Sequence, residues 1–180
     1  MEALEIGKVS EAYRKHVSSL NLREALERDY GYNEDPFYVE HTITRICEIL
    51  GTNLKRKRIL DLGCGSTGQS QDSHMMGRND GHFYNEPWLS RALYHLGARP
   101  IGVDIGRLVD EKFEHHSIDL LEPDALRFLK DHSVHLAIAS RLFSSPQFNR
   151  LGGIETEFRK ILDPQLERVL KPSGVFLYQD

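Results

Sequence analysis

Apolar positions in the first fifty residues recur at helical spacing, whereas after residue 58 they gather into short runs punctuated by glycine. Ser10 and Asn21 stand as caps ahead of two helices, with Glu24 in capping-box position after Asn21 and Gly31 closing the second helix. Asp35 followed by Pro36 opens a third, in which Val39, Ile43, Ile46, Cys47 and Leu50 share one face until Gly51 ends it. Cys47 is thereby a core position. Beyond the basic run Lys55-Arg56-Lys57-Arg58 the pattern predicts strands at Ile59–Leu62, Pro100–Asp104, Phe113–Ile118, Val134–Ala139 and Val175–Tyr178. Helices are predicted between them at Pro87–Leu96, Pro123–Lys130 and Ile154–Leu170, the last interrupted at Asp163-Pro164. Strands alternating with helices imply a doubly wound, mainly parallel α/β sheet with helices on both faces.

Composition narrows this further. The 180 residues make one ordinary unit, since a domain takes about 150. We read 1–53 as an N-terminal helical cap and 54–180 as the sheet domain with a loop inserted at 69–86, together one compact body. Hydrophobic residues at 39% and charged residues at 28% fit a soluble globular chain. A balance of 23 basic against 27 acidic residues, net −4, makes nucleic acid an unexpected partner. The run Lys55–Arg58 reads as a solvated turn before a buried strand. Cys47 and Cys64 are too few for a zinc site or a disulfide framework. An acidic N-terminus and no apolar stretch near the ~20 residues of a bilayer span predict a cytoplasmic protein with no membrane partner.

The chemistry collects at the end of the first long strand, Asp61-Leu62-Gly63-Cys64-Gly65-Ser66-Thr67-Gly68. Gly63, Gly65 and Gly68 satisfy G-x-G-x-x-G, which by itself suits a dinucleotide. Asp61, two residues before the first glycine, argues otherwise, because a pyrophosphate at a helix N-terminus is poorly matched to a neighbouring carboxylate. Asp104 ends the next strand, where a carboxylate accepts from both hydroxyls of a ribose. The two acids together suit a nucleoside that is cationic and carries no phosphate.

On these residues, and on Leu96–Asp104, Ile118-Asp119-Leu120 and Leu170-Lys171-Pro172-Ser173-Gly174-Val175-Phe176-Leu177, the chain resembles the class I, Rossmann-like S-adenosylmethionine-dependent methyltransferases from about Ile59 to Tyr178. The resemblance implies a sheet of order 3-2-1-4-5, S-adenosylmethionine as cofactor and S-adenosylhomocysteine as product. It places the Gly63–Gly68 loop, Cys64 and Gly65 included, against the methionine and ribose, with Asp61 in support. Asp104 would take the ribose hydroxyls, Ile105 would lie beside the adenine, Asp119 would accept from the adenine amino group, and Leu120 follows it.

The chain departs from the family's pattern in several places. Gly68 stands one residue late, so Thr67 or Gly68 fills the third glycine's role. Ser133-Val134-His135 stands where the family often has Ser-Phe-Asp, so His135 reads mainly as a structural substitute and secondarily as a base. Asp180 directly follows the fifth strand, so the family's terminal hairpin is expected to be missing and the fifth strand to be an edge. A second copy of the chain or the N-terminal helices would cover that edge. Between Gly65 and Asp104 lie 39 positions against about 20 in a short crossover. The excess, 69–86, carries His74, Met75, Met76, His82, Phe83 and Tyr84 and is expected to close over the methyl donor. Methyl transfer is a displacement at an activated carbon and needs alignment more than a fixed dyad. His74, His82, Tyr84 and His135 are the candidate bases for an acceptor of high pKa, and Tyr84, Trp88 and Arg141 the candidate acceptor contacts. Two histidines without carboxylates or thiols do not make a metal site. The expected function is methyl transfer to a small molecule, or to a protein side chain. The alternatives are a non-catalytic binding or regulatory protein of the same fold and a nicotinamide-dependent oxidoreductase.

Overall fold

The structure is a computed structural model, and it describes residues 4–5, 10–31, 37–66, 86–140, 142–143 and 155–179. Six strands form one sheet: β1 (Leu4–Glu5), β2 (Arg58–Leu62), β3 (Arg99–Asp104), β4 (Glu114–Ser117), β5 (Val134–Ser140) and β6 (Leu170–Gln179). Their order is β1-β6-β5-β2-β3-β4, and every pairing is parallel. Without β1 this is the 3-2-1-4-5 order of a doubly wound, Rossmann-like α/β sheet. The helices are α1 (Glu11–Ser18), α2 (Leu22–Tyr30), α3 (Phe37–Leu50), α4 (Trp88–His95) and α5 (Glu155–Val169).

Side chains alternate across the strands and so divide the interior into two layers. On one face Ile59 of β2 and Leu136 and Ile138 of β5 meet Val17, Leu26, Ile43, Ile46 and Leu93 from α1 to α4. On the other, Leu60, Leu62, Ala137 and Ala139 meet Phe158, Leu162 and Leu166 of α5. The expected stripe of α3 is the buried one, with Val39, Ile43, Ile46 and Cys47 at most 2% exposed. Gly31 and Gly51 end their helices at φ of +70° and +82°. The cap expected at Asp35-Pro36 lies outside the described residues. Asn21 does precede α2, but in the left-handed region and without a side-chain cap bond, so the capping box is not formed.

Three expectations are corrected. Residues 119–130 form a chain of turns rather than a helix, with amides of Glu122, Ala125, Arg127 and Leu129 each donating three residues back. The side chains of α5 explain this. Gln165 Oε1 accepts from the Leu126 amide at 2.8 Å, and Arg168 donates to the carbonyls of Leu126 and Leu129 at 2.8 and 2.9 Å. The Leu126 amide and carbonyl are groups that an α-helix over 123–130 would pair within its own backbone. Second, α5 runs unbroken through Pro164, because Phe158, Leu162, Leu166 and Val169 anchor its turns on both sides of the proline in one buried stripe. Third, β6 gains a neighbour from the first residues of the chain: Leu4 pairs with Leu177 and Glu5 with Tyr178. A two-residue strand, and not a helix, thus covers that part of the edge.

Candidate functional site

Parallel strands bring their carboxyl ends to one edge, and at a reversal of strand order that edge opens a crevice. The reversal lies between β2 and β5, and β2 and β3 end side by side at the same edge. Gly63 turns the chain at φ +70°, and its amide and that of Cys64 donate to the Val103 carbonyl at 2.8 and 3.2 Å, prolonging the ladder by one step. A Cβ at Gly63 would fall 2.8 Å from Leu142 Cδ1, so glycine is required both by conformation and by space. Gly65 follows at φ +102° and donates its amide to Asp104 Oδ2 at 3.0 Å. The other oxygen, Oδ1, accepts from the Gly106 amide at 2.8 Å. A Cβ on Gly106 would come within 2.4 Å of Ser66 Cβ, so the two loops interlock at the acid between them.

Asp61 lies beneath this loop, 1% exposed, on the face that α4 covers. Ser90, in the first turn of α4, donates its hydroxyl to Asp61 Oδ2 at 2.7 Å. Burial pushes the Asp61 carboxyl up to about 7; the Ser90 bond opposes this, and the charge of Asp104 adds to it. Burial also raises the Cys64 thiol well above its ordinary range, and both aspartates push the same way. The Cys64 side chain packs onto Gly102 of β3, where a Cβ would stand 2.8 Å from its sulfur. It therefore faces the interior, and only its backbone borders the crevice.

The neighbouring strand end is tied in. The Ile118 amide donates to the Asp104 carbonyl at 2.8 Å, and Ser117 Oγ donates to the Ile105 carbonyl at 3.1 Å. Ile105 is 44% exposed beside Asp104. Asp119 caps its own turn, Oδ1 accepting from the Leu121 amide at 2.9 Å, while Leu120 belongs to the buried core. The structure thus brings Asp61, Gly63, Cys64, Gly65, Asp104, Ile105 and Asp119 to one edge.

Of the other candidates, Trp88 stands at the same carboxyl end of the sheet, two residues before the Ser90 that bonds Asp61. Trp88 opens α4, and its ring lies 4.5 Å from the Arg91 guanidinium. Arg91 is itself buried, paired with Glu111 at 2.6 Å and with Glu86, and stacked 4.8 Å from the Tyr30 ring. His135 lies near the amino end of β5, at the edge opposite the glycine loop, which takes it away from any reacting group there. Gly68, His74, His82, Tyr84 and Arg141 lie outside the described residues, as do Thr67 and most of the 69–86 insertion. Sequence reasoning missed Ser90, Arg91 with Glu111, and Gly106. Only Gly106 left a signal, a glycine two residues after the strand-end acid. Among the described residues, no group of three or more His, Cys, Asp or Glu is arranged for a metal ion, and no helix is long and apolar enough to cross a membrane.

The fold and site define a Rossmann-like α/β chain with two aspartates at the carboxyl ends of its adjacent strands β2 and β3. No family model matches the sequence, and no curated protein matches it. Among solved structures it is similar to a SAM dependent methyltransferase from Archaeoglobus fulgidus, at 16% identity and a TM-score of 0.41. The match covers 83% of this chain and 53% of that one, so this chain spans about half the length of the other.

Proposed function

We propose that the chain is an S-adenosylmethionine-dependent methyltransferase acting by direct displacement on a small molecule or a protein side chain. The observation that carries this reading is the pair of carboxylates at the glycine loop, Asp61 beneath and Asp104 at its rim, close enough for the charge of one to raise the other. A pyrophosphate would meet the charge of Asp104 and oppose ionisation of the buried Asp61. A sulfonium nucleoside meets both acids with a positive charge, so the same acids disfavour a nicotinamide dinucleotide.

The residues present fit such a group. The amides of Gly65 and Gly106 fix the Asp104 carboxylate at the end of β3, where it can meet ribose hydroxyls. Holding it in place before a ligand arrives lowers the ordering cost of binding. Ile105 offers an apolar surface next to it, and Asp119 an acceptor one strand further on. Leu120, buried in the core, fixes the position of Asp119 and would contribute only its backbone. When bound, the cofactor supplies a methyl group on a positively charged sulfur. The chain's own part is to hold that group still, keep the acids aimed at it and exclude water.

Incubation with S-adenosylmethionine labelled in its methyl group, against a panel of small-molecule and peptide acceptors, tests the reading. Transfer of label to an acceptor, lost in Asp104→Ala, is the expected result. Saturable cofactor binding with no transfer to any acceptor would instead identify a binding protein on this fold.

A further inference from the structure

At the sheet's other edge, His135 occupies an unusual place in the ladder. Val134 pairs with Leu170 and Leu136 with Val175, so the four residues Lys171–Gly174 loop out opposite His135. The excursion is tight: a Cβ at Gly174 would meet the Lys171 carbonyl oxygen at 2.9 Å and its nitrogen at 3.0 Å. That fold brings Lys171 Nζ to 2.9 Å from His135 Nε2. On the ring's other side, the backbone amide of Arg58 donates to Nδ1 at 3.1 Å.

These two contacts conflict for a protein without a further group. A backbone amide cannot give up its role as donor, so Nδ1 must carry the lone pair. A neutral imidazole with its lone pair on Nδ1 has its proton on Nε2. Nε2–H and the Lys171 ammonium are then two donors facing each other. Protonating the ring does not resolve this, since Nδ1 would then oppose the Arg58 amide. Burial lowers the His135 pKa from its ordinary value, and the charges of Lys171, Lys57 and Arg58 push the same way. Among the described residues the ion pairs involve other side chains, and none joins a carboxylate to Lys57, Arg58 or Lys171. Two donors held face to face within a cluster of three cations lack one thing, an acceptor that is negatively charged.

We propose that this cluster is an anion site that takes a phosphate group, with one oxygen accepting from both His135 Nε2–H and the Lys171 ammonium and with Lys57 and Arg58 supplying the surrounding charge. The group belongs to free phosphate or to a small phosphate monoester. The site lies at the amino edge and does not rest on the methyl-donor reading, whose crevice opens at the opposite end of the strands. Within it Lys57 and Arg58, the last two residues of the basic run, have a function beyond that of a solvated turn.

The test is a titration of the full chain, at constant ionic strength, with inorganic phosphate and separately with methyl phosphate, following the His135 ring nitrogens by NMR and using chloride as the control. Saturable one-to-one binding of either phosphate is expected, with Nε2 remaining protonated throughout. Free phosphate alone binding would identify it as the source, and equal or tighter binding of methyl phosphate would point to a monoester. His135→Asp supplies a carboxylate that answers both Arg58 and Lys171, and Lys171→Met removes one donor. Each should weaken binding about tenfold or more, the loss expected when a charge-assisted hydrogen bond is removed. Should His135→Asp fail to fold by circular dichroism, Lys171→Met decides, and Lys57→Gln should still weaken binding severalfold. Shifts no larger than those with chloride, affinity unchanged in the variants, or a neutral Lys171 amine accepting from Nε2–H would overturn the proposal. S-adenosylmethionine binding, measured in parallel, should be unaffected by these variants, so the two readings fail separately.

Discussion

The same strands end in opposite chemistry. At their carboxyl ends β2 and β3 carry Asp61 and Asp104, fastened to the glycine loop, to Gly106 and to Ser90. At their amino ends they begin with Arg58 and Arg99, and His135 and Lys171 join them from β5 and β6. Between the two ends the strands are the same apolar material, with Ile59, Leu60, Leu62, Ile101 and Val103 at most 1% exposed. The buried middle therefore makes the sheet, while one or two residues at each end decide what each edge can bind. At one edge acids are brought close at a cost in desolvation. At the other, His135 and Lys171 meet, and among the described residues no ion pair joins a carboxylate to Lys57, Arg58 or Lys171.

The largest expected effect falls on Asp61. Its proton leaves near 3.8 in an unfolded chain and near about 7 in the fold. Between those values the folded state keeps a proton that the unfolded state has lost. Stability is therefore fully present below the window and declines as pH rises through it, by up to about 1.4 kcal/mol per pH unit. Urea unfolding from pH 4 to 8 should show this decline in the wild type, and Asp61→Asn should flatten it; parallel curves would remove Asp61 as its source. Next in size, Asp104→Ala should raise the dissociation constant for S-adenosylmethionine tenfold to a hundredfold, about 1.5–3 kcal/mol for hydrogen bonds to a charged acceptor. Calorimetry reads it, and His135→Asp at the opposite edge should leave it unmoved. Gly63→Ala should lower stability by about 1–2 kcal/mol, since φ of +70° strains any side chain and the new methyl must displace Leu142. Chemical denaturation tests that directly. Smallest, Ser90→Ala should cost about 1 kcal/mol at neutral pH and shift the Asp61 decline to higher pH, because the hydroxyl favours the charged carboxylate.

How much of this was legible depended on whether the partners are near in sequence. The parallel sheet could be read from five apolar runs between glycines, and α3 from its stripe, because each is a local pattern. The glycine loop and its two acids were visible for the same reason. Residues 123–130 have the composition of a helix, but Gln165 and Arg168, about 40 positions away, take their backbone groups. Pro164 marks a break in a sequence, yet the buried stripe on either side of it holds α5 straight through. Leu4 and Glu5 carry no strand pattern at all; they pair because β6 presents an edge. At the crevice the same limit applies. Asp61 announced itself two residues before a glycine, but nothing nearby in sequence announced Ser90, 29 positions on. At the amino edge, His135 was noticed as a substitution, while its place between two donors needed the register of three strands.

The proposed function requires the acidic edge to take a cationic nucleoside. Calorimetric titration of the intact chain near pH 7, with S-adenosylmethionine and in a separate experiment with NAD, tests it in two buffers of different ionisation enthalpy. One-to-one saturation by S-adenosylmethionine is expected, with release of up to about half a proton, because a cation beside Asp61 draws its half-protonated carboxyl toward the ionised form, and no saturation by NAD. Saturation by NAD with no binding of S-adenosylmethionine would contradict it.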